Sequence, residues 1–200
     1  MSALDVEFEI PSWEEIYELL LELADQIRED GFETDVVVGV SRGGWPPARV
    51  MSDLLEKPQL VNVATEFYLG VAETKGEPVI TQPVSASVKG KKLLVVDDIA
   101  DTGKSLKLIQ THLKERGATE IRVAAIYYKP WSIVVPDYYQ KDTTSWVIFP
   151  WERKETIRKI LEKYECEGKP VKEAAKKLVR SGLDRNLVKR FMHEISGEDS

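Results

Sequence analysis

Apolar residues recur at three- and four-residue spacing over residues 12–30, at Trp13, Ile16, Tyr17, Leu20, Leu23, Ala24 and Ile27, and this spacing predicts an amphipathic helix. Ser12 and Glu15 stand in the capping-box relation after Pro11, and Gly31 supplies a stop. The period then changes. Val36–Ser41 (VVVGVS) is a short, β-branched apolar run, closed by Arg-Gly-Gly-Trp-Pro-Pro and followed by ARVMSDLLE, which reads as strand, loop and helix. A second unit repeats the order: KKLLVVDD (residues 91–98) as strand, IADTGKS as loop and LKLIQTHLKERG as helix, with basic residues in its last turns where the helix dipole favours them. IRVAAIYY (residues 121–128) predicts a further buried strand.

Strands alternating with helices predict an α/β fold, a doubly wound, mostly parallel sheet covered on both faces and running to about residue 150. Residues 70–90 are poor in helical signal and rich in Gly, Pro, Ser and Thr. They predict a long excursion or hairpin, which is either a lid or a solvated hairpin with no role. Helical spacing returns after 153, at Ile157, Ile160, Leu161 and Tyr164, then Val171, Ala174, Ala175 and Leu178, then Leu187, Val188, Phe191 and Ile195. The expected organisation is a domain over 1–152 and a C-terminal extension of two or three helices over 153–200.

Composition narrows the class. With 42% hydrophobic and 31% charged residues the chain is a soluble globular protein rather than a disordered one. The single Cys166 forms no internal disulfide, and no Cys/His cluster suits a closed zinc site. The acidic start and the lack of any run near the roughly 18 apolar residues that span a bilayer predict no membrane partner and a cytoplasmic setting. A net charge of −6 argues against nucleic acid, yet residues 153–190 hold 13 Lys or Arg against 6 Asp or Glu.

The candidate chemistry lies in LLVVDDIADTGKSL. It ends in Gly-Lys-Ser, as an ATP-binding P-loop does, but the position five before Gly103 is Asp98, whose carboxylate would repel the phosphate. A loop after a strand and before a helix still offers free amides and a helix dipole to an anion. A phosphorylated sugar meets the remaining demands: Thr102, Gly103, Lys104 and Ser105 for the phosphate, Asp97 and Asp98 for vicinal hydroxyls or Mg²⁺. Taken alone, the acidic pair also reads as a solvated strand cap. Ser41, Arg42, Gly43 and Gly44 form a second donor-rich turn, in which glycine lets backbone approach an anion.

VVDDIADTGKS resembles the phosphoribosyl-pyrophosphate (PRPP) motif of the type I phosphoribosyltransferases, and VGVSRGGWPPA resembles the family's first loop, whose amides grip pyrophosphate, often through a non-proline cis peptide. The segment KPWSIVVPDYYQKDTTSWVIFPWE is similar to the purine-binding segment of the 6-oxopurine branch, most of all its xanthine-guanine members. The resemblance implies the family's fold and a Mg²⁺-dependent transfer of the phosphoribosyl group from PRPP to N9 of guanine, xanthine or hypoxanthine, giving the nucleoside monophosphate and pyrophosphate. It implies Asp97 and Asp98 on the ribose, Asp101 through Ser105 on the 5-phosphate, and Asp101 as the base near purine N7. Residues 41–44 would hold pyrophosphate, Lys129 would donate to the base O6, Trp146 would stack on the purine, and the Val147 backbone would meet its edge. Asp98 and Glu152 would bear metal, with Glu152 standing where relatives carry Asp.

Other readings stay open from the residues: Asp101 as a helix N-cap, Trp146 as core, Lys129 as an exposed strand end. Tyr68 and Lys89 are candidates for covering the reaction. The resemblance further implies a homodimer or higher homo-oligomer. Two rival functions are a PRPP-sensing transcription regulator that sets its basic tail on DNA, and a phosphoribosyltransferase for adenine or a pyrimidine.

Overall fold

The computed structural model describes residues 7–57, 59–68 and 76–197. Its elements along the chain are β1 (Phe8–Glu9), α1 (Trp13–Asp30), β2 (Val36–Ser41), α2 (Trp45–Leu54), β3 (Leu60–Tyr68), β4 (Glu77–Gln82) and β5 (Lys92–Ala100). There follow α3 (Lys104–Glu115), β6 (Glu120–Tyr128), β7 (Tyr138–Asp142), β8 (Trp146–Val147), α4 (Arg153–Cys166), α5 (Val171–Arg180) and α6 (Arg185–Ser196). No helix among the described residues is long and apolar enough to cross a membrane.

The chain divides into two compact units, Ile16–Thr144 and a second made of the residues up to Glu15 with those from Ser145 on. The larger unit holds a six-stranded sheet in the order β4-β3-β2-β5-β6-β7, parallel throughout except for the β3–β4 pair. Near-continuous apolar strands mark a sheet buried on both faces, and β2 and β5 sit at its centre for that reason. Val36, Val38, Leu93 and Val95 point to one face and pack with Leu106, Ile109 and Leu113 of α3. Gly39 points to the other, where an added Cβ would lie 2.8 Å from Ala48 Cβ, so the missing side chain lets α2 close onto β2. The capping box forms as expected, Ser12 N donating to Glu15 Oε2 (2.7 Å) and Glu15 N to Ser12 Oγ (3.1 Å).

Strands β3 and β7 go beyond the sequence expectations. In β3 the alternation of Val61 and Val63 is short and soon gives way to Thr65 and Glu66; β7 (YYQKD) is a mostly polar edge strand, made by pairing with β6 rather than by its own apolar content. The expected excursion over 70–90 includes a hairpin arm: β4 runs antiparallel to β3, with a register shift at Ala64/Thr65. Its residues 70–75, and the side chain of Tyr68, lie outside the described residues.

In the smaller unit β1 pairs in parallel with β8, Phe8 opposite Trp146 and Glu9 opposite Val147. Three helices follow, α4, α5 and α6, around a core of Ile148, Ile157, Tyr164, Leu178, Leu183 and Val188. The Asp184 side chain caps α6 by accepting from Leu187 N at 2.8 Å. The units part at Thr144–Ser145, earlier than 152, because β8 pairs with β1 and Ile148 joins the helical core.

Candidate active site

Open parallel sheets bind ligands beyond the carboxyl ends of their strands. In the larger unit two such ends are neighbours, since β2 and β5 pair directly. β2 ends at Ser41, and the Ser41–Arg42 peptide bond is cis. β5 ends just past the acidic pair. The turn from β2 lies on that pair: a Cβ added at Gly43 would stand 2.2 Å from Asp98 Oδ2, and one at Gly44 would stand 2.6 Å from Val96 O and 2.7 Å from Asp97 Oδ1. A side chain at Gly43 would have to displace the Asp98 carboxylate, and one at Gly44 would run into main chain as well as Asp97.

Asp97 and Asp98 are 9% and 7% exposed. Burial first, then the charge of Asp98 and the hydrogen bond between the two side chains, raise Asp97 well above the ordinary carboxylate range. One backbone amide partly offsets this, Asp98 N donating to Asp97 Oδ1 (3.0 Å), while Ile99 N donates to Asp98 Oδ1 (2.9 Å). The solvated-cap reading of the pair is therefore not what the fold builds. Two crowded carboxylates are hard oxygen donors that gain from a divalent cation. Among the described residues no cluster of three or more His, Cys, Asp or Glu could hold one. That donor set fits Mg²⁺, which binds through one or two carboxylates with waters and phosphate oxygens rather than in an all-protein cage.

The loop after β5 turns into α3 at Gly103, whose φ of +74° favours glycine. A Cβ there would meet Ser132 Oγ at 2.5 Å and Val134 N at 2.7 Å, so residues 132–134 form the seat of the loop, and Ile133 N donates to Thr102 O (3.1 Å). The N-cap residue Gly103 supplies no side-chain cap, and Thr102 Oγ1 accepts a long bond from Lys104 N (3.4 Å). The first amides of α3 point out of the helix with the positive end of the dipole behind them, the arrangement that receives a phosphate. Lys104 Nζ pairs with Glu77 Oε1 of β4, so its ammonium is engaged with the hairpin arm rather than with the loop.

Asp101 is exposed and does not cap α3. Its Oδ1 instead accepts from Trp131 Nε1 at 3.2 Å, a partner thirty residues on. Lys129 Nζ lies 5.3 Å from the centroid of the same indole. Lys129 is only 5% exposed, and its backbone N donates to Ala100 O at 3.0 Å, so it is not an exposed strand end. Thus the larger unit holds Ser41, Arg42, Gly43, Gly44, Asp97, Asp98, Asp101, Thr102, Gly103, Lys104, Ser105 and Lys129. Trp131, Ser132 and Glu77 join these residues only through tertiary contacts. The only local signal was an indole two residues after Lys129.

Trp146, Val147 and Glu152 belong to the smaller unit. Trp146 is 39% exposed, which is not core burial, and its N donates to Glu7 O at 2.8 Å. Val147 is buried. Glu152 is half-buried at the start of α4, its N donating to Phe149 O at 3.2 Å.

Two strand-end loops, one of glycines resting on buried acids and one opening a helix, are matched by sequence comparison: residues 9–156 fit the phosphoribosyl transferase domain family. The chain belongs to that family. As a phosphoribosyl transferase domain it is 30% identical over 144 residues to the xanthine-guanine phosphoribosyltransferase of Idiomarina loihiensis, spanning 70% of this chain and 84% of the relative. It is 30% identical over 115 residues to the hypoxanthine-guanine phosphoribosyltransferase of Streptococcus pyogenes serotype M3, spanning 56% of this chain and 64% of that one. A solved purine phosphoribosyltransferase from Pyrococcus horikoshii Ot3 superimposes with a TM-score of 0.66 at 37% identity, covering 72% of this chain and 93% of the other. The family match ends within α4, so α5 and α6 lie beyond it.

Proposed function

We propose that residues 1–152 transfer the 5-phosphoribosyl group of PRPP to N9 of a 6-oxopurine, as a step of purine salvage, and that residues 153–200 are a helical extension of this catalytic part. The observation that carries the reading is the seating of Gly43 and Gly44 on Asp97 and Asp98, which puts backbone suited to a pyrophosphate beside acids suited to a ribose.

In the reaction the bond from ribose C1 to pyrophosphate breaks and the bond from C1 to N9 forms, with inversion. The purine gives up one proton, which Asp101 accepts at N7. Asp97 and Asp98 accept hydrogen bonds from the ribose hydroxyls. The amides of residues 101–105 hold the 5-phosphate, and those of residues 41–44 take the departing pyrophosphate, preorganised charge where charge develops. Lys129 donates to O6, which guanine, hypoxanthine and xanthine offer as an acceptor and adenine does not. By their match to the family's segment, Trp146 stacks on the base, Val147 meets its edge, and Glu152, where relatives have Asp, would help to hold a metal. Mg²⁺, held through Asp98, would neutralise the leaving pyrophosphate.

Relatives named for xanthine, guanine and hypoxanthine support this substrate class over adenine or a pyrimidine, and over a DNA-binding regulator. We place the enzyme in the cytosol as a homo-oligomer. The test is a panel of guanine, xanthine, hypoxanthine and adenine with PRPP and Mg²⁺, with nucleotide formation followed directly. Product from the three 6-oxopurines is expected; product from adenine alone, or from none, ends the proposal.

A further inference from the structure

We infer that Trp131 is a positioning residue for the base-handling end of the site: its indole N–H fixes the Asp101 carboxylate while its ring sits beside the Lys129 ammonium. The inference rests on the roles proposed above for Asp101 and Lys129.

One rigid side chain contacts both groups. Trp131 Nε1 lies 3.2 Å from Asp101 Oδ1, and the ring centroid lies 5.3 Å from Lys129 Nζ, within the range of a cation–π contact. An acid that accepts a proton must aim one oxygen lone pair at it, and an exposed Asp on a short loop otherwise samples several rotamers. An indole N–H has one donor direction and no acceptor. By occupying Oδ1 it leaves Oδ2 as the oxygen for the purine and holds the carboxylate plane.

The indole's own base is anchored. Ser132 is 9% exposed and its Oγ donates to Val134 O at 2.9 Å; its N donates to Lys129 O at 2.9 Å. Gly103 of the phosphate loop packs on the same Ser132, and Ile133 N bonds Thr102 O. The segment that carries Trp131 therefore also seats the loop that carries Asp101, so the distance between donor and acceptor is set by backbone. Trp131 itself is 53% exposed, far more than core packing requires. An exposed tryptophan held on an anchored loop against a charged pair is placed for those contacts.

The chain has five Trp, so an ¹H–¹⁵N spectrum shows five indole cross-peaks, and Trp131→Phe identifies the one that disappears. That peak is expected to move on Asp101→Ala, which removes the acceptor; an unmoved peak overturns the inference. Trp131→Phe keeps a ring beside Lys129 and deletes only the donor. Its expected effect is about a tenfold fall in kcat, with KM for PRPP within about twofold, the signature of an interaction that matters at the chemical step. Asp101→Asn is assayed beside it. If that variant keeps its rate, the base assignment has failed; if it slows while Trp131→Phe stays at the parental kcat, the positioning role has failed and the base assignment stands.

Discussion

Gly43 rests on Asp98, so closely that a Cβ on the glycine would lie 2.2 Å from the carboxylate oxygen Oδ2. Its neighbour Gly44 faces backbone instead, with Val96 O at 2.6 Å and Asp97 Cα at 2.7 Å. The two glycines thus meet different kinds of obstacle, and their alanine variants separate function from folding. Gly43→Ala is relieved when the Asp98 side chain turns away; the protein is expected to fold with near-parental urea stability and to lose about 10² or more in kcat/KM for PRPP, the scale of a lost preorganised contact. Gly44→Ala must shift main chain and is expected to lose about 1–3 kcal/mol of stability in the same titration.

For Asp101→Asn the expectation is a fall in turnover of about 10² or more, the scale of general acid–base assistance, with PRPP affinity held. Calorimetric binding of PRPP and single-turnover kinetics measure the two separately. Equal losses in both would reassign Asp101 to the phosphate.

Lys129 is buried at the end of β6, and its removal is a test of base selection. Lys129→Ala is expected to lower kcat/KM for guanine by about tenfold to a hundredfold while leaving the small rate with adenine unchanged, since only the 6-oxo group loses its donor. Competition between the two bases in one assay reads the ratio directly.

The acidic pair makes stability depend on pH. Asp97 is raised in the folded chain, chiefly by burial, so the folded state holds its proton to higher pH than the unfolded state does. Its contribution is fully present below the unfolded value of about 3.9 and is lost as pH rises through the folded one. Asp97→Asn removes that loss. Without ligand, the variant is expected to melt above the parent at pH 8, with the gap closing as pH falls toward 4, in scanning calorimetry across a pH series. A gap independent of pH would mean that the paired acids are not strained by burial.

Much was legible along the chain itself. The three- and four-residue apolar spacing gave α1 its limits, and the β-branched runs gave β2 and β6 to within a residue, because periodicity and caps are properties of neighbours in sequence. Asp98 in place of a glycine excluded an ATP loop by charge alone. Folding in three dimensions decided the rest. β3 and β7 exist because partner strands satisfy their backbone, the edge strand β7 most clearly. From its place before α3 Asp101 suits a helix cap, yet its partner is an indole thirty residues away. Side chains far apart in sequence meet only where packed strands and anchored loops deliver them, so residue types and spacing announced an acid pair beside an anion loop, while the tertiary structure alone chose which glycine, indole and lysine surround them.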